Sequence, residues 1–111
     1  YQIKFKDIQM TPMELLKHFA PEFAENQMQE KALIFENEKY QKVPNKYKML
    51  VGIGVASALG SDTCTQMWVK MAKQNGVSNE EIVEAMQVSR YMKQATVNDT
   101  IANSLKILEG E

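Results

Sequence analysis

The stretch "GSDTCTQMWVKMAKQNG", residues 60–76, contains the signals that begin and end one helix. Gly60 closes an apolar segment, and the three polar residues after it are good acceptors for the first free backbone N–H groups of a new helix. Gly76 stands where a helix terminus favours a left-handed backbone. One face of the helix between them carries Cys64, Met67, Trp68 and Met71. The stretch therefore predicts a helix that ends at about Asn75.

The segment before this stretch, from about Asn45 to Leu59, carries a wide apolar stripe at helical spacing. The stripe consists of Met49, Leu50, Ile53, Ala56 and Leu59, widened by Val51 and Val55. So wide a stripe is typical of a helix that is covered on most sides. Gly52 and Gly54 lower the helix propensity, so we expect a neighbouring backbone to approach closely there.

The N-terminal part predicts two helices and an arm. In "TPME", Thr11 is a suitable N-cap, and Glu14 closes a capping box. Pro21 ends that helix and opens a second one, which runs to about Asn37. The opening residues "YQIKFKDIQ" alternate apolar and polar side chains, so we expect an extended N-terminal arm over residues 1–10.

The C-terminal part predicts two more helices. In "SNEE", Ser78 and Glu81 repeat the capping-box pattern, and the helix that they open turns Ile82, Ala85, Met86 and Ser89 inward. "TVND" offers another start at Thr96, followed by Val97, Ile101, Leu105 and Leu108. Nothing resembles βαβ alternation or an internal repeat. The pattern predicts an all-α fold of about six helices in a single domain over residues 11–111.

Composition narrows the class of protein. The chain has 111 residues, which suits one domain, with 44% hydrophobic and 24% charged residues as in globular proteins. A net charge of -1 favours neither nucleic acid nor an anionic membrane as a partner. No apolar run approaches the roughly 20 residues that span a bilayer. A single cysteine forms no internal disulfide, which predicts a reducing, cytoplasmic location.

Residues 43–92 combine these features in a specific order. A helix ends in Ala-Leu-Gly, a cysteine opens the next helix, a glycine ends that helix, and "SNEEIVEA" precedes a helix rich in small residues. In this order the stretch resembles the carboxymuconolactone decarboxylase family, which includes the alkylhydroperoxidase D-like proteins. The resemblance covers about residues 21–108. It implies an alkylhydroperoxidase D-like helical fold and assembly into homo-oligomers, as trimers or hexamers.

The resemblance also implies where a reactive site would lie. Peroxidase-like members of the family carry a glutamate, then Cys-x-x-Cys, then a histidine four residues later. Those positions fall on Met49, Ser61, Cys64 and Trp68, so only Cys64 keeps its reactive group. A serine does not resolve a sulfenic acid, and neither methionine nor tryptophan transfers protons near neutral pH.

Cys64, a candidate catalytic residue, has two interpretations. The first turn of a helix favours a thiolate, which would suit a one-cysteine redox or modification site. Alternatively, Cys64 is a buried small residue against Trp68, since a sulfur–aromatic contact contributes about 0.3–1.5 kcal/mol. His18 is the only histidine and lies near the end of the first helix, so we expect neither a metal site nor a cofactor.

The methionines also have two interpretations. Met49, Met67, Met71 and Met86 lie on predicted inward faces, where methionine fills gaps in a core. Alternatively, Met67, Met71 and Met86 line a cavity, to which Tyr91 or Tyr47 adds a hydroxyl group.

Three classes of function follow from these observations. The first is a thiol-dependent peroxidase or oxidoreductase that uses Cys64 with an external thiol reductant. The second is a lyase that acts on a small lactone or carboxylate. The third, which the residues favour, is a non-catalytic or divergent oligomeric protein that binds a small molecule. We expect a homo-oligomer with a small-molecule ligand or a thiol reductant as partner, and neither nucleic acid nor membrane.

Overall fold

A computed structural model describes residues 10–110 of the chain. These residues contain five α-helices and a short 3-10 helix, Glu38–Tyr40. The helices are α1 Pro12–Phe19, α2 Pro21–Phe35, α3 Asn45–Ala58, α4 Asp62–Gln74 and α5 Asn79–Leu108. The all-α prediction is therefore confirmed. Apart from Met10, the predicted extended arm lies outside the described residues.

The described residues form two compact units, residues 10–42 and residues 43–110. In the first unit, α1 packs against α2. The predicted capping box opens α1, since the Glu14 N–H donates to Thr11 Oγ1 over 3.1 Å and the Thr11 N–H donates to Glu14 Oε1 over 3.0 Å. Pro21 begins α2 directly after α1, as predicted. Ala24 is the buried residue of α2.

In the second unit, α3 is the central helix and packs against both α4 and α5. The buried hydrophobic residues of this unit are Met49, Ile53, Ala56, Ala72, Val77 and Ile82. Ile53 is completely inaccessible to solvent. The predicted stripe of α3 is covered on one side only, because Val51, Val55 and Leu59 are exposed.

Two glycines end helices in the left-handed conformation, as predicted. Gly60 has φ +80° and Gly76 has φ +83°. After each of them, the next N–H group reaches back to a carbonyl oxygen five residues earlier: Ser61 to Ala56 over 3.0 Å, and Val77 to Ala72 over 3.0 Å. These bonds satisfy carbonyl groups that a helix C-terminus leaves free, which explains why α3 and α4 end there.

Helix α5 is continuous over 30 residues, about 45 Å at 1.5 Å per residue. The predicted capping box at Ser78 opens it, but the predicted new start at Thr96 is wrong. The Thr96 hydroxyl donates to the Lys93 carbonyl within the helix. No glycine or proline lies between Ser78 and Thr96 to interrupt the helix. The two predicted C-terminal helices are thus one. No helix within residues 10–110 is long and apolar enough to cross a membrane.

Candidate functional site

Ser61 is the N-cap of α4. Its Oγ accepts a hydrogen bond from the Cys64 N–H over 3.2 Å. Its carbonyl oxygen accepts from the Thr65 N–H over 3.0 Å and from the Thr65 hydroxyl over 2.7 Å. Ser61, which the resemblance places at the first family cysteine, therefore stabilises the start of a helix.

Cys64 lies in the first turn of α4 and is exposed to solvent. Of the two interpretations of Cys64, the one in which it is buried against Trp68 is therefore wrong. The reason is that the Trp68 ring packs towards α3 and leaves the first turn of α4 uncovered. A solvent-accessible thiol is available to reagents and to other molecules.

Trp68 packs directly on Gly52 of α3. A Cβ atom at residue 52 would lie 3.1 to 3.3 Å from three carbons of the indole ring, which is closer than ordinary van der Waals contact. Glycine therefore lets the large ring approach α3. Met49, one turn earlier on α3, is only 5% exposed. Met49 and Trp68, which the resemblance places at the family's glutamate and histidine positions, thus belong to the packing of the second unit.

The expected close approach of a neighbouring backbone is not found at Gly54, where an added Cβ atom would be at ordinary van der Waals distance from α5. A Cβ atom at this position would lie 3.9 Å from the carbonyl oxygen of Ala85 on α5. The Ser89 hydroxyl donates to the Gly54 carbonyl oxygen over 2.9 Å. The Ser57 hydroxyl lies 3.0 Å from both that oxygen and Ser89 Oγ, so its single proton has two acceptors. This polar cluster joins α3 to α5.

A groove beside this cluster forms where α3, α4 and α5 meet. Its volume is about 500 Å³, and we call it the cationic groove. Its lining includes Ser57, Thr65, Met86, Ser89, Arg90 and Lys93. Thr65 follows Cys64 directly in the chain, but Cys64 and the other three positions that the resemblance marks do not line the groove. It contains two cationic side chains and no carboxylate.

A second groove, of about 410 Å³, lies between α3 and α5, and we call it the apolar groove. Its lining includes Leu50, Val51, Val55, Val88 and Met92. Ala58 and Ser89 line both grooves, so the two grooves adjoin.

The predicted cavity residues separate in the structure. Met86 is half-buried and lines the cationic groove. Met71 is half-buried and lines neither of the two grooves. Met67 is exposed, so the prediction that it lies on an inward face is wrong for the second unit. Tyr91 is 69% exposed and also lines neither groove. Tyr47 is exposed.

Arg90 and Lys93 were not predicted from the sequence as site residues. The signal that could have indicated them is local charge, because α5 carries no Asp or Glu between Glu84 and Asp99 and both cations lie in this segment. Sequence alone does not place that segment beside the ends of α3 and α4.

An ion pair outside the grooves joins the beginnings of α3 and α5. Lys46 pairs with Glu81, which also accepts hydrogen bonds from the backbone and hydroxyl groups of Ser78. The bond from Lys46, followed by those from Ser78, lowers the pKa of Glu81 to about 2. The same contact raises the pKa of Lys46. The pair fixes the first turn of α5 and performs no chemistry in the grooves.

Residues 10–110 contain no group of three His, Cys, Asp or Glu side chains arranged to hold a metal ion. His18 is exposed in the first unit, where its ring contacts Phe19 edge to face with centroids 4.8 Å apart.

Comparison with known proteins identifies the family. The family model described as "Carboxymuconolactone decarboxylase family" matches residues 21–101. No curated protein and no solved structure matches the chain. The matched range is most of the chain and includes α2, α3, α4 and the packed part of α5, together with all four positions compared above. The chain belongs to the carboxymuconolactone decarboxylase family.

Proposed function

We propose that this protein is a non-catalytic member of the family that binds a small molecule and assembles as a homo-oligomer. The observation that carries the proposal is that three of the four positions at which the resemblance expects reactive groups hold residues with structural roles. Met49 is buried, Ser61 caps α4, and Trp68 packs on Gly52. Each of these residues has a structural role that a reactive group at the same position would not fill equally well.

The missing groups are those that the family's chemistry needs. A two-thiol peroxidase forms a sulfenic acid and resolves it with a second thiol, which a serine does not supply. Proton transfer near neutral pH needs a group such as histidine or a carboxylate. A lyase acting on a lactone or carboxylate would need the same proton transfers, and Met49 and Trp68 do not provide them.

Small-molecule binding is supported by the cationic groove. Its volume of about 500 Å³ falls within the roughly 300–1,000 Å³ of typical ligand sites. It combines the apolar side chain of Met86 with polar and charged groups, as ligand sites do. Thr65, which follows Cys64 in the chain, is part of its lining.

Homo-oligomer formation is supported by the second half of α5. Every residue from Thr96 to Gly110 is exposed, although Val97, Ile101 and Leu105 recur at four-residue spacing on one face. An apolar stripe of this kind needs a partner, and closed symmetric assembly of identical chains is the usual solution.

The exposure of Cys64 favours one alternative, a thiol peroxidase. Its thiolate would attack one peroxide oxygen, the O–O bond would break, and the other oxygen would leave as water or an alcohol. An external thiol would then condense with the sulfenic acid to a mixed disulfide and water. A second external thiol would release the Cys64 thiol and leave as a disulfide.

A peroxidase assay distinguishes the proposal from this alternative. We expect no peroxide consumption above the uncatalysed rate when the wild type is supplied with dithiothreitol. The matched control is Cys64→Ser, which leaves the Ser61 cap and Trp68 in place. Turnover by the wild type that Cys64→Ser abolishes would overturn the non-catalytic proposal and establish Cys64 as the nucleophile.

A further inference from the structure

We propose that the ligand is an amphiphilic organic anion, whose charged group lies between Arg90 and Lys93 and whose hydrocarbon part lies in the apolar groove. This inference rests on the proposed small-molecule binding and names its chemistry. The two adjoining grooves of the second unit carry it together.

The first step is the charge of the cationic groove. Arg90 and Lys93 are three residues apart on α5, so they lie on one face, where like charges repel. Arg90 donates to the neutral Gln87 side chain over 2.8 Å. Within residues 10–110, neither cation forms an ion pair with a carboxylate. An anion placed between them would remove their repulsion and accept charge-assisted hydrogen bonds.

The second step concerns the serine and threonine hydroxyl groups of the cationic groove, which donate their protons within the chain rather than to a ligand. Ser89 donates to the Gly54 carbonyl oxygen, and Thr65 donates to the Ser61 carbonyl oxygen. Ser57 donates to an acceptor in the same polar cluster. Because these protons are used within the chain, the donors left for a ligand in this groove are Arg90, Lys93 and the amide of Gln94, and only the two cations favour a negatively charged group.

The third step is the apolar groove. It continues from the cationic groove at Ala58 and Ser89, and its walls include Val51, Val88 and Met92. Two aliphatic walls and a pliable methionine suit an alkyl chain. The combined shape calls for a molecule with one anionic end and one hydrocarbon end, such as an alkyl carboxylate or an alkyl sulfate.

The test is calorimetric titration of the whole chain with octanoate and octyl sulfate, compared with octanol and octylammonium. We expect both anions to bind at least about tenfold more tightly than the other two probes. We also expect the affinity for alkyl carboxylates to rise by up to about fourfold per added CH₂ group.

Variants locate the site. Arg90→Gln with Lys93→Gln should weaken octanoate binding at least about tenfold and leave octanol binding unchanged. Val88→Ser should weaken the binding of both octanoate and octanol. The control, Lys70→Gln with Lys106→Gln, removes two exposed cations outside both grooves and should leave both affinities unchanged. Thermal unfolding of each variant verifies that it is folded.

The outcomes separate this inference from the proposed function. If octanol binds as tightly as octanoate, or if the Arg90 and Lys93 variant loses nothing, the anionic assignment is overturned while small-molecule binding stands. If none of the four probes binds the folded wild type, both the anionic assignment and binding in these grooves are overturned.

Discussion

The two halves of α5 share apolar residues at helical spacing but have different environments. In residues 79–95, Ile82 and Ser89 are buried against the rest of the second unit. In residues 96–108, every side chain is exposed, including Ile101 and Leu105. Both halves place apolar residues at helical spacing, and both are helical.

The contrast shows that apolar spacing and burial are separate properties. A helix of about 13 residues is marginal in water by itself. The second half of α5 is therefore stabilised by continuity with the packed first half and, as proposed above, by a second copy of the chain. Four predictions test this difference between the two halves.

The largest effect is expected from truncating one isoleucine in each half. Ile82→Ala should lower the free energy of unfolding by about 2–5 kcal/mol at every protein concentration, because it leaves a cavity in the core. Ile101→Ala, its matched control, should cost less than about 0.5 kcal/mol in dilute protein. Urea unfolding at two protein concentrations measures both. Equal losses in the two variants would show that the halves are packed alike.

A smaller effect is expected on assembly. Leu105→Glu places a charge on the exposed apolar stripe, so it should raise the dissociation constant of the oligomer at least about tenfold, or 1.4 kcal/mol. Asn103→Glu adds the same charge away from the stripe and should have little effect. Sedimentation velocity at micromolar concentration measures both variants. A wild type that sediments as a 12.7 kDa monomer would contradict the proposed assembly.

The next prediction compares two serines of α5. Ser89→Ala removes the hydroxyl that donates to the Gly54 carbonyl oxygen and should destabilise the protein by about 0.5–1.5 kcal/mol. Ser104→Ala makes the same change in the helix at an exposed position. The difference between their denaturation midpoints isolates the buried bond from helix propensity. No difference would mean that the bond to Gly54 does not stabilise the contact of α3 with α5.

The smallest effect is expected at the partly exposed Glu81. Folding lowers the pKa of Glu81 from its ordinary 4.5 to about 2, so the ion pair with Lys46 stabilises the protein above pH 4.5. This contribution should disappear as the pH falls from about 4.5 to about 2. Glu81→Gln should therefore lower the urea midpoint at pH 7 and approach the wild type at pH 2. Glu84→Gln controls for the loss of an exposed carboxylate. A difference in urea midpoint between Glu81→Gln and the wild type that persists at pH 2 would contradict the linkage.

Local signals in the sequence predicted most of the helix boundaries correctly. Thr11 and Ser78 open helices with complete capping boxes, and Gly60 and Gly76 end helices in the left-handed conformation. These signals act through hydrogen bonds between residues a few positions apart, so they can be recognised from the sequence. The predicted helix start at Thr96 was wrong because threonine also fits a helix interior, where its hydroxyl donates to a carbonyl group of the preceding turn.

The candidate site was only partly predictable. The positions of Met49, Ser61, Cys64 and Trp68 follow from the order of motifs, but the direction in which each side chain points does not. Cys64 and Trp68 lie one turn apart, and the sequence therefore allowed their contact. In the structure, the indole ring instead packs on Gly52 of α3, and the thiol is exposed.

The sequence by itself determined the local structure and the family, because caps, glycine termini and motif order depend on neighbouring residues. Only the tertiary structure decided which face of each helix is covered, since burial depends on contacts between residues far apart in the chain. The contact of Ser89 with Gly54, 35 residues away, is such a case. The placement of Arg90 and Lys93 in one groove with Thr65 is another, because it requires α5 to lie beside the end of α3 and the beginning of α4.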